Sequence, residues 1–168
     1  MAGPNPEPKS LPQVSLRSTR PEDREFLLRV YASTREPEMR SWGWPAAEQS
    51  LFIQMQFDAR ARGYALSYPA AAESIVLAND EPAGSILVFR APLEIRLVDI
   101  ALLPQFRNLG IASALLGTLI AESIYTRVPL RLSVAKGNRA ARLYERLGFF
   151  VKSDDAMYCE MEHAAERN

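Results

Sequence analysis

Between residues 94 and 150 the chain gathers side chains suited to handling an anionic small molecule. The stretch VDIALLPQFRNLGIASALL, residues 98–116, carries one carboxylate, Asp99, in an apolar run, then Arg107, then Gly110 at the mouth of a long apolar helix. The first N–H groups of a helix have no intrahelical partner, and a residue without Cβ lets an anion approach them closely. Arg107 adds a charge-assisted donor three residues before Gly110, and Ala112 and Ser113 keep the first turn small. The chemistry this spacing suits is phosphate binding by backbone amides. No GxGxxG is present and no Gly-Lys-Ser/Thr follows, so neither a dinucleotide fingerprint nor a phosphate-loop motif describes it. Downstream, Asn138 opens a second helix and Tyr144 lies six residues on, within NRAARLYERLGFF, where Ala140, Leu143 and Leu147 form the core-facing stripe.

Composition closes other routes. Cys159 is the sole cysteine and His163 the sole histidine, which leaves no intrachain disulfide and argues against a metal site or a histidine-based triad. Twenty basic residues balance twenty acidic ones, giving no general attraction for nucleic acid or an anionic membrane. The longest charge-free apolar run, Leu109–Ala121, is too short to span a bilayer, and the N-terminus lacks the order of a signal peptide. A cytoplasmic protein with a small-molecule partner is expected, as monomer or homodimer.

These residues need elements to position them. MAGPNPEPKSLPQ places four of the twelve prolines in thirteen residues, so residues 1–13 read as a flexible tail. A single domain is expected over 14–162, with 163–168 as a C-terminal tail. VSLRS reads as a strand. Helix one follows with Thr19 as N-cap, Pro21 in the first turn and Glu22 completing a capping box. Helix two carries Leu51, Met55 and, less regularly, Phe52 and Gln56 at helical spacing until Gly63 stops it. ESIVLAND, EPAGSILVFR and EIRLVDIALL form an antiparallel meander, with a tight turn around Asn79–Pro82. Then come a helix to about Tyr125, the strand PLRLSVA, a helix ending at Gly148, and a closing strand pair. The order β-α-α-β-β-β-α-β-α-β-β predicts a mixed α/β (α+β) sheet whose β-α-β unit is parallel and right-handed. Ligands favour the crevice at the C-terminal ends of such strands, where the quoted stretch lies.

Together, VDIALLP, QFRNLGIA and NRAARLYERLGF resemble the two signature segments of the GCN5-related N-acetyltransferase (GNAT) family. The resemblance covers Val14 to about Met161 in element order, with its specific motifs in residues 94–150. It implies the acyl-CoA N-acyltransferase (GNAT) fold and acetyl-CoA as co-substrate without a metal. The pyrophosphate would be cradled by Phe106, Arg107, Asn108, Leu109, Gly110, Ile111, Ala112 and Ser113. The pantetheine arm would lie where the parallel strands splay after Leu102, beside Leu103, Asn138 and Ala141. Tyr144 would face the sulfur. Asn108 stands where the family commonly has glycine, and asparagine tolerates left-handed backbone angles better than most residues.

The implied chemistry is attack of a primary amine on a thioester. A backbone N–H near Leu102 would hold the oxyanion, and Tyr144 would protonate the departing thiolate. Strand alternation sets Val98, Ile100 and Leu102 on one face and Leu97, Asp99 and Ala101 on the other. Asp99 then either takes the ammonium proton through a water, anchors the substrate cation, or pairs with an arginine such as Arg96 or Arg131; Glu94 is a weaker alternative. Among the aromatics of the first two helices, Trp42 and Trp44 in SWGWP are the expected acceptor contacts. The alternative to an enzyme is an inactive CoA-binding sensor domain. The sequence leaves the acceptor's identity open.

Overall fold

The computed structural model describes residues 11–165 apart from Trp42. The rest of the expected tails, residues 1–10 and 166–168, and the expected acceptor contact at Trp42 lie outside the described residues. In chain order the elements are β1 (Val14–Ser18), α1 (Arg24–Met39), α2 (Ala46–Ser67), β2 (Ala72–Ala78), β3 (Glu81–Ala91), β4 (Glu94–Leu102), α3 (Ile111–Thr126), β5 (Leu130–Ala135), α4 (Ala140–Arg146), β6 (Phe150–Asp154) and β7 (Tyr158–His163). This is the order read from the sequence, except that β7 takes in His163 at the expected tail boundary. The seven strands make one sheet, β1-β2-β3-β4-β5-β7-β6, antiparallel everywhere but at β4–β5. Asn79 and Asp80, with φ of 50° and 64°, make the two-residue turn between β2 and β3, the left-handed pair that matches the twist of a hairpin.

The parallel seam is short. Only Ile95, Arg96 and Leu97 of β4 pair with Leu130, Arg131 and Leu132 of β5. The strands therefore part after Leu97, not after Leu102 as the sequence suggests. A β-bulge marks the place: Val88 pairs with Leu97 and Leu87 with Asp99, leaving Val98 as the extra residue. A bulge bends and over-twists its strand, and it shifts side-chain alternation by one residue. Leu97 consequently joins Ile95, Ile100 and Leu102 on the face packed against α3, correcting the simple alternation that grouped it with Asp99. Asp99 still faces the other way, over the side covered by α1 and α2.

The main core lies between the sheet and α3 with α4. Leu115, Leu116 and Leu119 meet Leu97, Leu130, Leu132 and Met161 there. A smaller cluster, Tyr31, Ile53 and Phe57, joins α1 to α2. Leu51 and Met55, expected inward, are each 61% exposed. Apolar residues surround α2 on all sides, so periodicity selects no face of it. Gly63 does not end α2 either, since the helix runs four residues beyond it. The capping acid of the first helical segment is Asp23 and not Glu22: its carboxylate accepts from the Arg20 N–H at 2.8 Å and twice from Arg17 at 2.7 Å. The expected cap Thr19 bonds the Glu73 carbonyl instead. Arg17, then the Arg20 amide, holds Asp23 at a pKa of about 2.

Side chains strap the seam. Glu94 of β4 takes Arg131 of β5 at 3.0 Å, Arg96 reaches Glu160 of β7 at 3.1 Å, and Arg131 holds Glu162 at 2.7 Å, which also accepts from Lys152 of β6. Burial alone would raise the carboxyls of Glu94 and Glu162, but their hydrogen bonds to these cations outweigh it and hold both below 4.5.

Carboxyls held below their ordinary value stabilise the fold above that value and cease to do so as pH falls through the folded one. Arg131→Gln, which takes one of two cationic partners from each glutamate and leaves Arg96 on Glu94 and Lys152 on Glu162, should cost about 1–2 kcal/mol at pH 7, at the low end for charged hydrogen bonds because the cluster is part-exposed. Urea unfolding of both proteins from pH 7 to pH 2.5 checks this: the gap should close below about pH 4.5. A gap of constant size down to the acid end would refute the strap.

Candidate active site

The parted strands open a cleft of about 1410 Å³ that runs from the α3 N-terminus, past the exposed inner edges of β4 and β5, to α1 and α2. At one end, Pro104–Phe106 forms a 3-10 turn, Asn108 takes φ of 60° and Gly110 takes φ of 82°. Two left-handed residues so close together turn the chain sharply into α3 at Ile111. Asparagine and glycine are the residues that adopt this conformation at least cost.

Arg107 does a different job from the one expected. Its Nε donates to the Leu102 carbonyl at 2.8 Å, and its Nη2 to the carbonyl and hydroxyl of Ser33 on α1 at 3.2 and 3.1 Å. Most of its fork is spent clamping the loop to the end of β4 and to α1. Arg107 thus shapes the loop while still lining the cleft.

The middle of the cleft is backbone. The Leu103 N–H donates to the Ala83 carbonyl at 2.9 Å and is not available. Antiparallel pairs alternate their bonding edges, so the N–H groups of Leu102 and Ile100 point the other way, into the opening. Across from them, the Asn138 side-chain oxygen accepts from the Ala140 N–H at 2.9 Å and starts α4, leaving its amide N–H₂ as the donor it can offer.

Tyr144 stands on the cleft wall, 7% exposed, and its orientation follows from how α4 ends. Gly148, with φ of 91°, lets the Phe149 N–H reach back to the Tyr144 carbonyl at 3.0 Å and its own N–H reach Glu145 at 3.0 Å. This six-to-one and five-to-two bond pair is a Schellman stop, and its usual apolar contact is here the Tyr144 ring against Phe149, centroids 5.7 Å apart. His163 packs edge-on against Phe149, centroids 5.5 Å apart, so the lone histidine supports this corner. Burial, then the charge of Asp99, pushes the Tyr144 phenol up to about 12.

Asp99 completes the far end. Its Oδ2 lies 3.3 Å from Nη1 of Arg60 on α2, a partner that the sequence reading missed. Arg96 and Arg131, the partners considered there, belong to the strap. Burial raises the Asp99 carboxyl, with Arg60 pulling against it. Only a helix-phase argument could have brought Arg60 forward, and α2 has no clear phase. Six arginines line the cleft, namely 35, 60, 107, 139, 142 and 146, against one carboxylate, Asp99.

Of the expected site residues, Asp99, Leu102, Arg107, Asn108, Gly110, Ile111, Ala112, Ser113, Asn138, Ala141 and Tyr144 surround this one cleft. Phe106 and Leu109 turn into the apolar core, and the Leu103 side chain is not on the cleft wall. Trp44 packs edge-on against Phe52 at 5.4 Å and does not line the cleft. Tyr31, Thr34, Arg35 and Tyr158 do, and none of the four was singled out for the site.

Comparison with known proteins agrees with this architecture. The chain superposes on the PaiA N-acetyltransferase from Thermoplasma acidophilum, a complex with coenzyme A, with a TM-score of 0.66 at 20% identity, covering 90% of this chain and 99% of that one. Ard1 from Thermoplasma volcanium gives 0.61 at 18% identity, with 92% and 99% covered. The histone acetyltransferase HPA2 and related acetyltransferase from Corynebacterium glutamicum gives 0.59 at 22%, with 92% and 98% covered. No curated protein matches the chain in sequence. No described helix is long and apolar enough to cross a membrane. The family model of the Acetyltransferase (GNAT) family matches residues 26–149, most of the described domain, and the chain belongs to that family.

Proposed function

We propose that the protein transfers the acetyl group of acetyl-CoA to a primary amine by direct attack, using Tyr144 and Asp99 at the far end of the cleft. The observation that carries this reading is the parted seam: it joins a left-handed, glycine-bearing helix entry to a buried phenol and a carboxylate within one opening. A net-neutral chain that concentrates six arginines and one carboxylate there suits a polyanionic co-substrate.

The residues fit the group. Backbone amides from Gly110 to Ser113 would hold the pyrophosphate, the exposed β4 edge and Asn138 the pantetheine arm. Acetyl-CoA would supply an activated acyl thioester at the Tyr144 end. There the Leu102 or Ile100 N–H is a fixed donor to a developing oxyanion. Asp99 accepts a proton from the substrate ammonium, directly or through a water, and so frees the amine lone pair for attack, or it anchors the cation before that proton is lost. Tyr144 stays protonated across the physiological range and donates to the departing sulfur. A phenol near 12 hands its proton to a thiolate reluctantly, because an ordinary thiol sits near ~8.5. Proton uptake at Asp99 removes the negative charge that helps to raise Tyr144, so the base step eases the acid step.

Two measurements test this. Gly110→Val places a β-branched residue at a left-handed φ, a strain of about 1–3 kcal/mol that the loop can relieve only by changing shape. The thermal shift given by acetyl-CoA, roughly 2.7 kcal/mol of stabilisation at a hundredfold excess over Kd, should disappear in the variant. Equal shifts in variant and wild type would move the anion site elsewhere.

Tyr144→Phe keeps the ring contact with Phe149 and removes one hydroxyl. With an amine found by screening a panel for thiol release, kcat should fall about 10²–10⁴-fold with the acetyl-CoA Kd nearly constant, and the defect should shrink for a thioester with a better leaving thiolate. An unchanged rate would remove Tyr144 from the chemistry. No thiol release from wild type over the whole panel would favour a CoA-binding sensor.

A further inference from the structure

We infer that Arg60 is a positioning residue for the acceptor: clamped between the rings of Tyr31 and Tyr64, it holds the Asp99 carboxylate and its negative charge at the cleft, on the side facing Tyr144. This rests on the acetyl-transfer reading for its meaning, though its first test does not.

The clamp is built from both helices over the sheet. The Arg60 guanidinium carbon lies 4.6 Å from the Tyr31 ring centroid and 5.4 Å from that of Tyr64. Tyr31 is fixed in turn by α2: its hydroxyl donates to Gln56 at 3.2 Å, and its ring lies 5.9 Å from Phe57. A planar cation gripped by two aromatic faces keeps one direction of its fork, which here is aimed at β4. Cross-strand pairing sets Glu73, Leu87 and Asp99 side by side on β2, β3 and β4. Arg60 is thus a cation over a surface with two carboxylates, and it makes its ion pair with the one that lines the cleft.

The contact sets Oδ2 of Asp99 3.3 Å from Nη1, longer than the 2.7–2.9 Å usual for a charge-assisted hydrogen bond. A tight pair would use up the carboxylate. This loose one leaves it capacity to accept from an ammonium or a water. Without Arg60, Asp99 would act on Glu73 from β2, Tyr64 from α2 and Tyr144 from α4, and share the cleft wall with Tyr31 from α1 and Tyr158 from β7, none of them a cation. Burial, and Asp99 itself, already raise Glu73, and burial raises Tyr64. Arg96 of β4 and Arg131 of β5 are held by Glu94, Glu160 and Glu162.

The test compares Arg60→Gln, which keeps length and polarity without the charge, and Arg60→Lys, which keeps the charge without the plane. In the full chain, with neither acetyl-CoA nor amine present, the Asp99 carboxyl carbon is followed by NMR through a pH titration and assigned by its loss in Asp99→Asn. Removing a close cation should move the midpoint upward by about one pH unit or more in Arg60→Gln, with Arg60→Lys between it and wild type. With an amine substrate, the acid limb of kcat/KM should move in the same direction, the KM for the amine should rise, and the acetyl-CoA thermal shift should stay as in wild type.

An unmoved Asp99 midpoint in a folded Arg60→Gln overturns the inference, whatever the turnover. So do two variants that lose activity only in proportion to lost folded protein with the acid limb in place, which would make Arg60 a plain structural strut. If the glutamine variant does not fold, the lysine variant decides alone, by a smaller upward move or none. Wild type that acetylates no amine would overturn the acetyl-transfer reading and leave the titration to decide this one.

Discussion

Three residue pairs join the two halves of this sheet, and nearly everything at the candidate site follows from that shortness. A longer parallel ladder would have sealed β4 to β5 and left no inner edge for a ligand. A shorter one would have left the halves to drift. The bulge at Val98 ends the pairing after Leu97, and the strap of Glu94, Arg96, Arg131, Glu160 and Glu162 holds the base of the opening. The same bulge turns Leu97, Ile100 and Leu102 to one core while sending Asp99 to the other face. One extra residue in a strand thus creates both the cleft and the separation between its apolar floor and its ionisable end.

At that end, one cation and two acids are coupled. Asp99 is raised by burial and restrained by Arg60; Tyr144 is raised by burial and then by Asp99. Neither acid has its ordinary solution behaviour, and each of the three side chains depends on a support some residues away: Arg60 on two tyrosine rings, Tyr144 on the Gly148 stop and Phe149, Asp99 on the bulge. Such supports come from elements far apart in the chain, which is how a surface cleft acquires a fixed electrostatic pattern without a metal cluster among the described residues.

The element order was legible because its signals are local. Left-handed turn residues at Asn79 and Asp80, the Gly110 entry to α3 and the Gly148 exit from α4 each act over a few residues, and all stand where the pattern put them. The left-handed turn before α3 and the place of Tyr144 on the cleft wall were legible for the same reason. What failed was non-local. Alternation along β4 could not reveal a bulge that exists only against Leu87 and Val88 of the neighbouring strand. The face of α2 was misread at Leu51 and Met55 because its apolar residues surround the axis, and with the face went Arg60. Arg107 was read as a free donor, since nothing in its own neighbourhood announces Ser33, 74 positions away.

A molecule whose formal charges sum to zero, yet which gathers six arginines around one opening, is in effect an electric dipole with its positive end at the cleft. Such a body gains nothing from its total charge at long range, but inside roughly one Debye length, ~8 Å at physiological ionic strength, it turns an incoming polyanion towards the opening. The benefit falls on the rate of encounter more than on the strength of holding, and added salt should slow capture while release changes little. A neutral solute feels no such guidance and a cation is turned away, so in the proposed reaction the two reactants would arrive under different kinetic rules.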